Sequence, residues 1–375
     1  MGFFSVILLP VAFAIAAYLY FALKRFCATI SHPVNTRRGK LMLGGIALAI
    51  AVCGTVFSLT GAVFLLYTVA IAGVLQLFNF LLKRIARQKY ENGFRVWKRV
   101  YGLFLIPILL GALAVLCGYL NLHTARETAY TIHTSKGIRE EGYRVALVAD
   151  VHFGISFDEE ELLQICRRIE AQSPDLVILC GDVVDNSATR EGMQAVFRAL
   201  GGIQSTYGVY YVYGNHDRPS RMMQGPFTTE DLNRAITESG IRILQDESVQ
   251  ITEDLLLVGR EDRSAGRNGG RMSLEELLAS VDPTDFILTL DHQPIEYAQN
   301  AAAGTDLLLS GHTHGGQLFP LDILQTLIPF NDGVYGQYTI GEGQYAIITS
   351  GLGTWEIPVK NVAPAEYVII DILPK

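Results

Sequence analysis

From Leu41 to Leu82 this chain runs for 42 residues without a charged side chain. Such a run is too long for one buried element of a water-soluble domain. It fits two bilayer-crossing helices of roughly 20 residues each, joined by a turn near Ser58-Leu59-Thr60-Gly61. Phe3 to Leu23 adds a further uncharged run of 21 residues that stops at Lys24-Arg25, and Gly102 to Leu120 adds another. The first run lacks the basic start and short apolar core of a cleavable signal peptide, so it reads as a retained helix. The expected spans are 3–23, 41–59, 62–82 and 102–120, within a transmembrane region covering residues 1–122.

The charge distribution divides the chain at the same place. Residues 1–122 hold 12 Lys+Arg and one acid, Glu91, whereas the remainder holds 18 Lys+Arg against 36 Asp+Glu. Beyond residue 122 the only lysines are Lys136, Lys360 and Lys375. A domain this acidic lacks the cations needed to neutralise a phosphate backbone, which argues against nucleic acid as a partner. The basic residues of the first region cluster in Lys24–Lys40 and Lys83–Arg99. Basic loops stay in the cytoplasm, so with four spans everything after residue 120 is expected outside the cell membrane. No acid or histidine lies within a span, so no ion pathway is visible. The five cysteines form no Cys-x-x-Cys pair and read as small buried hydrophobes.

After a linker expected at 123–142, the pattern changes to short apolar runs alternating with helical stretches, giving one soluble α/β domain over 143–375. Tyr143–Ala149, Leu176–Cys180, Val209–Tyr213, Phe286–Leu290 and Asp306–Ser310 read as strands. Asp158 followed by Glu161 reads as a capped helix start. Five polar clusters follow these strands: Asp150-Val151-His152, Gly181-Asp182-Val183-Val184-Asp185, Gly214-Asn215-His216-Asp217, Asp291-His292-Gln293-Pro294 and Gly311-His312-Thr313-His314-Gly315-Gly316-Gln317. A lone Asp or His at such a place is most simply a cap or turn residue. Five clusters at five strand ends point instead to a metal site at the edge of a sheet.

In order and content these clusters resemble the calcineurin-like metallophosphoesterase superfamily, and GHTHGGQ with an apolar amino-terminal region looks most like its bacterial membrane-anchored phosphodiesterase branch. The resemblance covers about residues 143–371. It implies a four-layer αββα domain built on a two-sheet β-sandwich, and a binuclear metal centre. By resemblance Asp182 bridges the two metals, Asp150, His152 and His314 complete one, and Asn215, His292 and His312 the other. Mixed imidazole and carboxylate donors suit Mn, Fe or Zn better than Ca or Mg. His216 matches the family's non-ligand histidine, which protonates the leaving group. Asp185 is expected either to orient that ring or to cap a helix. Asp217 has a supporting part, and Asp291 reads either as an acceptor for a neighbouring ligand or as exposed.

Two segments bear on the substrate. Arg218–Pro226, with Arg218, Arg221, Met222 and Met223, is placed to cap the site. Arg260, Arg263, Arg267 and Arg271 read either as binding a second phosphate or as a solvated loop. Leu318–Leu324 and Leu327–Phe330 are apolar, and read either as a place for acyl chains or as ordinary core. The expected activity is hydrolysis of phosphodiester or diphosphate bonds, of lipid-linked or envelope compounds. The alternatives are a phosphomonoesterase for soluble extracytoplasmic substrates and a non-catalytic membrane sensor or scaffold. The sequence leaves the oligomeric state open.

Overall fold

A computed structural model of the protein describes residues 2–185, 188–218, 226–265, 270–279, 281–328 and 330–375. The chain divides into two compact units, Met1–Gly118 and Tyr119–Lys375. The first consists of α1 (Gly2–Thr29), α2 (Arg37–Val56), α3 (Leu59–Ile85), α4 (Arg87–Asn92), α5 (Arg95–Leu103) and the start of α6 (Leu105–Leu122). Four of these, α1, α2, α3 and α6, are long and apolar enough to cross a membrane. No more than 28% of any span is buried within the protein, so most of their apolar surface points outward, as a bilayer requires. Thr36 and Ser58 cap α2 and α3 by accepting from the Gly39 and Gly61 N–H groups. The tight connection expected between the middle spans is therefore Phe57-Ser58. The buried Asn79 amide oxygen accepts from Tyr90 Oη at 2.7 Å and Trp97 Nε1 at 3.0 Å, which satisfies a polar group inside this unit.

The second unit is a sandwich of two mixed sheets. In chain order its strands and helices are β1 (Arg126–Thr134), β2 (Tyr143–Val148), α7 (Glu159–Glu170), β3 (Leu176–Cys180), α8 (Arg190–Gly201), β4 (Val209–Val212), α9 (Thr229–Glu238), β5 (Ile241–Ile243), β6 (Glu247–Gln250), β7 (Leu255–Gly259), α10 (Leu274–Leu278), β8 (Phe286–Leu290), α11 (Tyr297–Ala303), β9 (Leu307–Ser310), α12 (Leu321–Leu327), β10 (Gly336–Gly341), β11 (Gln344–Ile348) and β12 (Glu366–Pro374). One sheet has the order β1-β12-β2-β3-β4-β5 and the other β10-β11-β9-β8-β7-β6. Strands β2 to β5 run parallel, as do β7, β8, β9 and β11.

Period-two alternation builds the layers. On β2, Val145 and Leu147 face the sandwich interior while Ala146 and Val148 face the helices; on β3, Ile178 and Cys180 go inward and Val177 and Leu179 outward. Helices α7, α8 and α9 cover the first sheet through Leu162, Ile165, Val196, Phe197 and Ile236. Leu274 and Leu277 of α10 cover Leu256, Val258 and Ile287 of the second. This is the four-layer αββα arrangement expected. Asp158 caps α7 in a capping box with Glu161, also as read from the sequence. Residues 126–134 differ from expectation: within the stretch taken as a linker they form β1, paired in parallel with β12. Its own pairing partner is nearly 240 residues away, which no local signal reveals.

Phe197 is fully buried, with its ring edge-on to Tyr211 at 5.8 Å. Phe197→Ala should cost roughly 3–5 kcal/mol through lost burial and the cavity left behind. A drop in the denaturant midpoint of Trp355 fluorescence, followed in a Trp97→Phe background, is the measurement; an unchanged midpoint would show that the helix layer does not depend on this contact.

Candidate metal centre

Every one of the five clusters lies just past the carboxyl end of a parallel strand: β2, β3 and β4 from one sheet, β8 and β9 from the other. The site therefore spans the ends of both sheets. Two groups of donors result, Asp150 with His152 and His314, and Asp182 with His292 and His312, the donor atoms of each lying within 4.8 Å of one another. His292 Nε2 is 3.2 Å from Asp182 Oδ2, His314 Nε2 3.6 Å from Asp150 Oδ1, and His152 Nε2 3.7 Å from Asp182 Oδ2.

The local backbone is strained to achieve this. Asp150 (φ 50°), His152 (43°), Asp182 (50°), His312 (72°) and His314 (52°) all occupy the left-handed region. Each such residue costs on the order of 1–3 kcal/mol unless its surroundings dictate it. Backbone hydrogen bonds do so here: Asp150 N donates to Gly181 O and His152 N to Asp182 O, both at 3.0 Å, and Gly311 N to His292 O at 3.0 Å. Gly181 is required for a different reason. At φ +79° a Cβ there would lie 2.5 Å from His292 Nδ1 and 2.6 Å from Gly214 N.

The ring nitrogens that face away from the centre are each held. His292 Nδ1 lies 2.8 Å from Cys180 O, His152 Nδ1 3.2 Å from Asp185 Oδ2, and His314 Nδ1 3.4 Å from Gly353 O. This fixes the tautomer that presents the Nε2 lone pair to a metal. His152 Nε2, His292 Nε2 and Asn215 Oδ1 are buried with no hydrogen-bond partner among the described residues. Buried polar atoms left unpaired are costly, and a cation would satisfy all three. The donor set thus fits metal ions.

Asp217 proves more important than its expected supporting part. Its buried carboxylate accepts from Asp182 N and Gly214 N at 2.7 Å, Val183 N at 2.8 Å and Val184 N at 3.2 Å. Asp182 is held from a second side, since its Oδ1 accepts from His216 N at 2.7 Å. Asp150 accepts His312 N through both oxygens, at 2.9 and 3.0 Å.

Asp185 lies on the His152 ring rather than at a helix start, because α8 is capped by Thr189. His216 sits with its ring 5.5 Å from that of His152 and 5.6 Å from that of Trp355. Asp291 is neither an acceptor for a ligand nor exposed: it is fully buried and paired with Arg271 and, at 3.5 Å, with Arg260. Arg218 forks onto Glu261 with two 2.9 Å bonds. Arg221, Met222, Met223 and Arg267 lie outside the described residues.

Three features escaped sequence reading. Trp355 and Gln317 line the pocket that opens on Asp182, His216, His312 and His314, together with Thr313, Gly316, Leu321 and Gln325. Lys360 is buried, and its Nζ donates to the carbonyls of Ser350, Gly351 (2.8 Å) and Gly353 (3.4 Å), pinning the turn behind Asp150. Burial brings it down to about 7, against the opposing pull of Asp150 and Glu366. The apolar stretch after the ligands is not core: no residue of α12 is buried, and Leu327 and Phe330 are 70% and 78% exposed. Full burial of such a side chain is worth about 1.5–3 kcal/mol, so water is an expensive neighbour for this segment.

Electrostatics sets how protons compete for the centre. Burial pushes the Asp150 carboxyl up to about 6, and the charge on Asp182 adds to this. Burial alone would also raise Asp182, but His292, then His152 and His216, hold it well below the carboxylate range. Burial would lower His292, yet Asp182 holds it well above 6.5. Burial takes His312 down to about 4 and His314 well below its ordinary value, leaving both neutral near pH 7. A metal must therefore displace a proton from His292 at neutral pH, and additionally one from Asp150 below about pH 6. Metal affinity should fall with acidification, more steeply below pH 6, with more protons released per metal at pH 5 than at pH 7.5. Calorimetric titration in buffers of differing ionisation enthalpy measures this; a pH-independent proton count would contradict it.

Residues 143–316 match the family model of the calcineurin-like phosphoesterase. A protein of Aquifex aeolicus named as an uncharacterized metallophosphoesterase is 30% identical over 274 residues, which span 72% of this chain and 98% of that one. A transmembrane protein with metallophosphoesterase domain from Danio rerio is 30% identical over 236 residues, covering 60% of this chain and 52% of its own length. A Campylobacter jejuni metallophosphoesterase is 29% identical over 235 residues, 62% of this chain and 59% of that protein. The chain thus spans little more than half of these last two relatives. Among solved structures, a dimetal phosphatase from Danio rerio is similar at a TM-score of 0.37, with 14% identity over 56% of this chain and 88% of that one. On the family match and the near full-length likeness to the Aquifex protein, this chain belongs to the calcineurin-like metallophosphoesterases.

Proposed function

We propose that the protein is a membrane-anchored enzyme that uses two metal ions to hydrolyse phosphodiester or diphosphate bonds, with lipid-linked or envelope compounds as its substrates. The observation that carries this reading is the pair of donor groups, Asp150-His152-His314 and Asp182-His292-His312, at one pocket. Bound there, Mn, Fe or Zn would supply an activated water and draw charge from the phosphoryl group. In this reading Asp150, His152 and His314 hold one metal, Asn215, His292 and His312 the other, and Asp182 bridges them.

The remaining steps belong to side chains. His216, beside Trp355 at the pocket, gives the leaving oxygen its proton. Asp185 acts through the His152 ring rather than through His216, keeping Nδ1 protonated and Nε2 free. The described lining of the pocket holds no lysine or arginine; Trp355, Leu321, Gln317 and Gln325 face the substrate instead. A diester with one negative charge and a neutral second arm suits such a wall better than a monoester dianion, which calls for cationic partners. The basic loops at Lys24–Lys40 and Lys83–Arg99 support an extracytoplasmic catalytic unit. A topology reporter fused after Leu120 should be active only outside the cytoplasm, and cytoplasmic activity would invert the orientation.

The central test uses the full-length protein with Mn²⁺ on an aryl phosphodiester and its matching monoester. Diester cleavage that Asp182→Asn abolishes is the expected result, and monoester preference would replace the reading with a phosphomonoesterase. His216→Ala should lower kcat by about 10²–10⁴ while metal content holds; metal loss would remove its assigned role. Asp185→Asn should instead weaken metal binding by roughly 10–100-fold.

A further inference from the structure

The pocket at the metal donors continues past the ligand-bearing loop. Gly316 lines it, and the adjacent Gly315 lines a second groove of about 370 Å³ formed by Ile323, Leu327, Val334, Tyr338 and Val362. Helix α12 separates the two, with Leu321 and Gln325 on the metal side and Ile323, Thr326 and Leu327 on the other. The groove's one carboxylate, Asp322, packs against Gly316. The rest of its wall is apolar or aromatic, and its volume falls within the range of ligand pockets.

The surroundings say what class of molecule fits. An apolar groove lined by an unburied helix, continuous with a phosphoester site, matches an amphiphile whose polar group and hydrocarbon sit side by side. The chain also carries four helices of membrane-crossing length, which keep it where such molecules reside. Resting on the phosphoesterase reading above, we infer that the groove between α12 and Val334–Tyr338 binds the hydrocarbon chain of the substrate, so that the enzyme selects amphiphilic phosphoesters by their tails. Ile323 and Leu327 are specificity-determining residues in this arrangement. Leu324, exposed on α12 but lining neither pocket, is not.

The test compares octylphosphonate with methylphosphonate, which share a head group and resist hydrolysis. Calorimetric binding to the full-length, Mn²⁺-loaded protein in lipid nanodiscs, corrected with empty nanodiscs, should show the octyl compound at least tenfold tighter. Ile323→Gln combined with Leu327→Gln should bring that ratio close to one, whereas Leu324→Gln should keep it. Both changes fall on an exposed helix, so folding is not at stake. Equal binding of the two phosphonates, or an octyl preference that survives the double substitution, overturns the inference, the latter because the chain then lodges elsewhere. The companion assay uses methyl and octyl 4-nitrophenyl phosphate. A tail preference lost in the double variant with neither diester cleaved would uphold the groove while removing the diesterase reading. Cleavage of both diesters without tail preference would do the reverse.

Discussion

Everything at the metal centre depends on one carboxylate that is not a candidate ligand. Asp217 gathers four backbone N–H groups from the loops after β3 and β4, and in doing so fixes where Asp182 and the Gly214-Asn215-His216 turn stand. Those donors are fully desolvated, and no water could replace the acceptor if it left. An anion does this better than a carbonyl, because charge-assisted bonds are stronger and one carboxylate can accept several at once. The loops are thereby held before any ion arrives, which is what lets a strained backbone persist at Asp150, His152 and Asp182.

The same buried volume holds carboxylates and imidazoles in contact, and their mutual electrostatics divides the labour. Asp182 keeps its charge because His292 faces it, while His312 and His314, farther from compensating charge, stay neutral. A site of this kind is an electrostatic mould for cations: its charge is unbalanced in a way that only a metal or protons correct. Lys360 moderates that imbalance from behind, spending its own donors on three carbonyls of the turn next to Asp150.

Much of this was legible in the sequence, for identifiable reasons. Strands β2, β3, β8 and β9 are continuous apolar runs buried on both faces, and each ends in a polar cluster, so both their existence and the convergence of Asp150, Asp182, His292 and His312 could be read locally. The α7 start is written in four residues. What was hidden depends on partners far along the chain. β1 pairs only with β12, Asp291 is buried because Arg260 and Arg271 come back to it, and Asp185 meets His152 from a different loop. The apolar stretch around α12 carried a true signal with the wrong meaning: hydrophobicity alone does not say whether a segment faces the core or the outside.

Strand β12 lies between β1 and β2, although both are made more than 200 residues before it. Until it emerges from the ribosome, β1 has no neighbour at all and β2 has one side open. Glu366, at its start, also ties down Thr349 and Ser350, and with them the turn behind Asp150. Synthesis runs from the amino end, so the apolar helices are produced and can partition into lipid while the catalytic unit is still an incomplete sheet. Closing that sheet is a late, long-range event of the slow kind. The order of synthesis thus makes the cell's choice of metal a matter of the compartment where the last strand is delivered, not of the one where the first ligand is made.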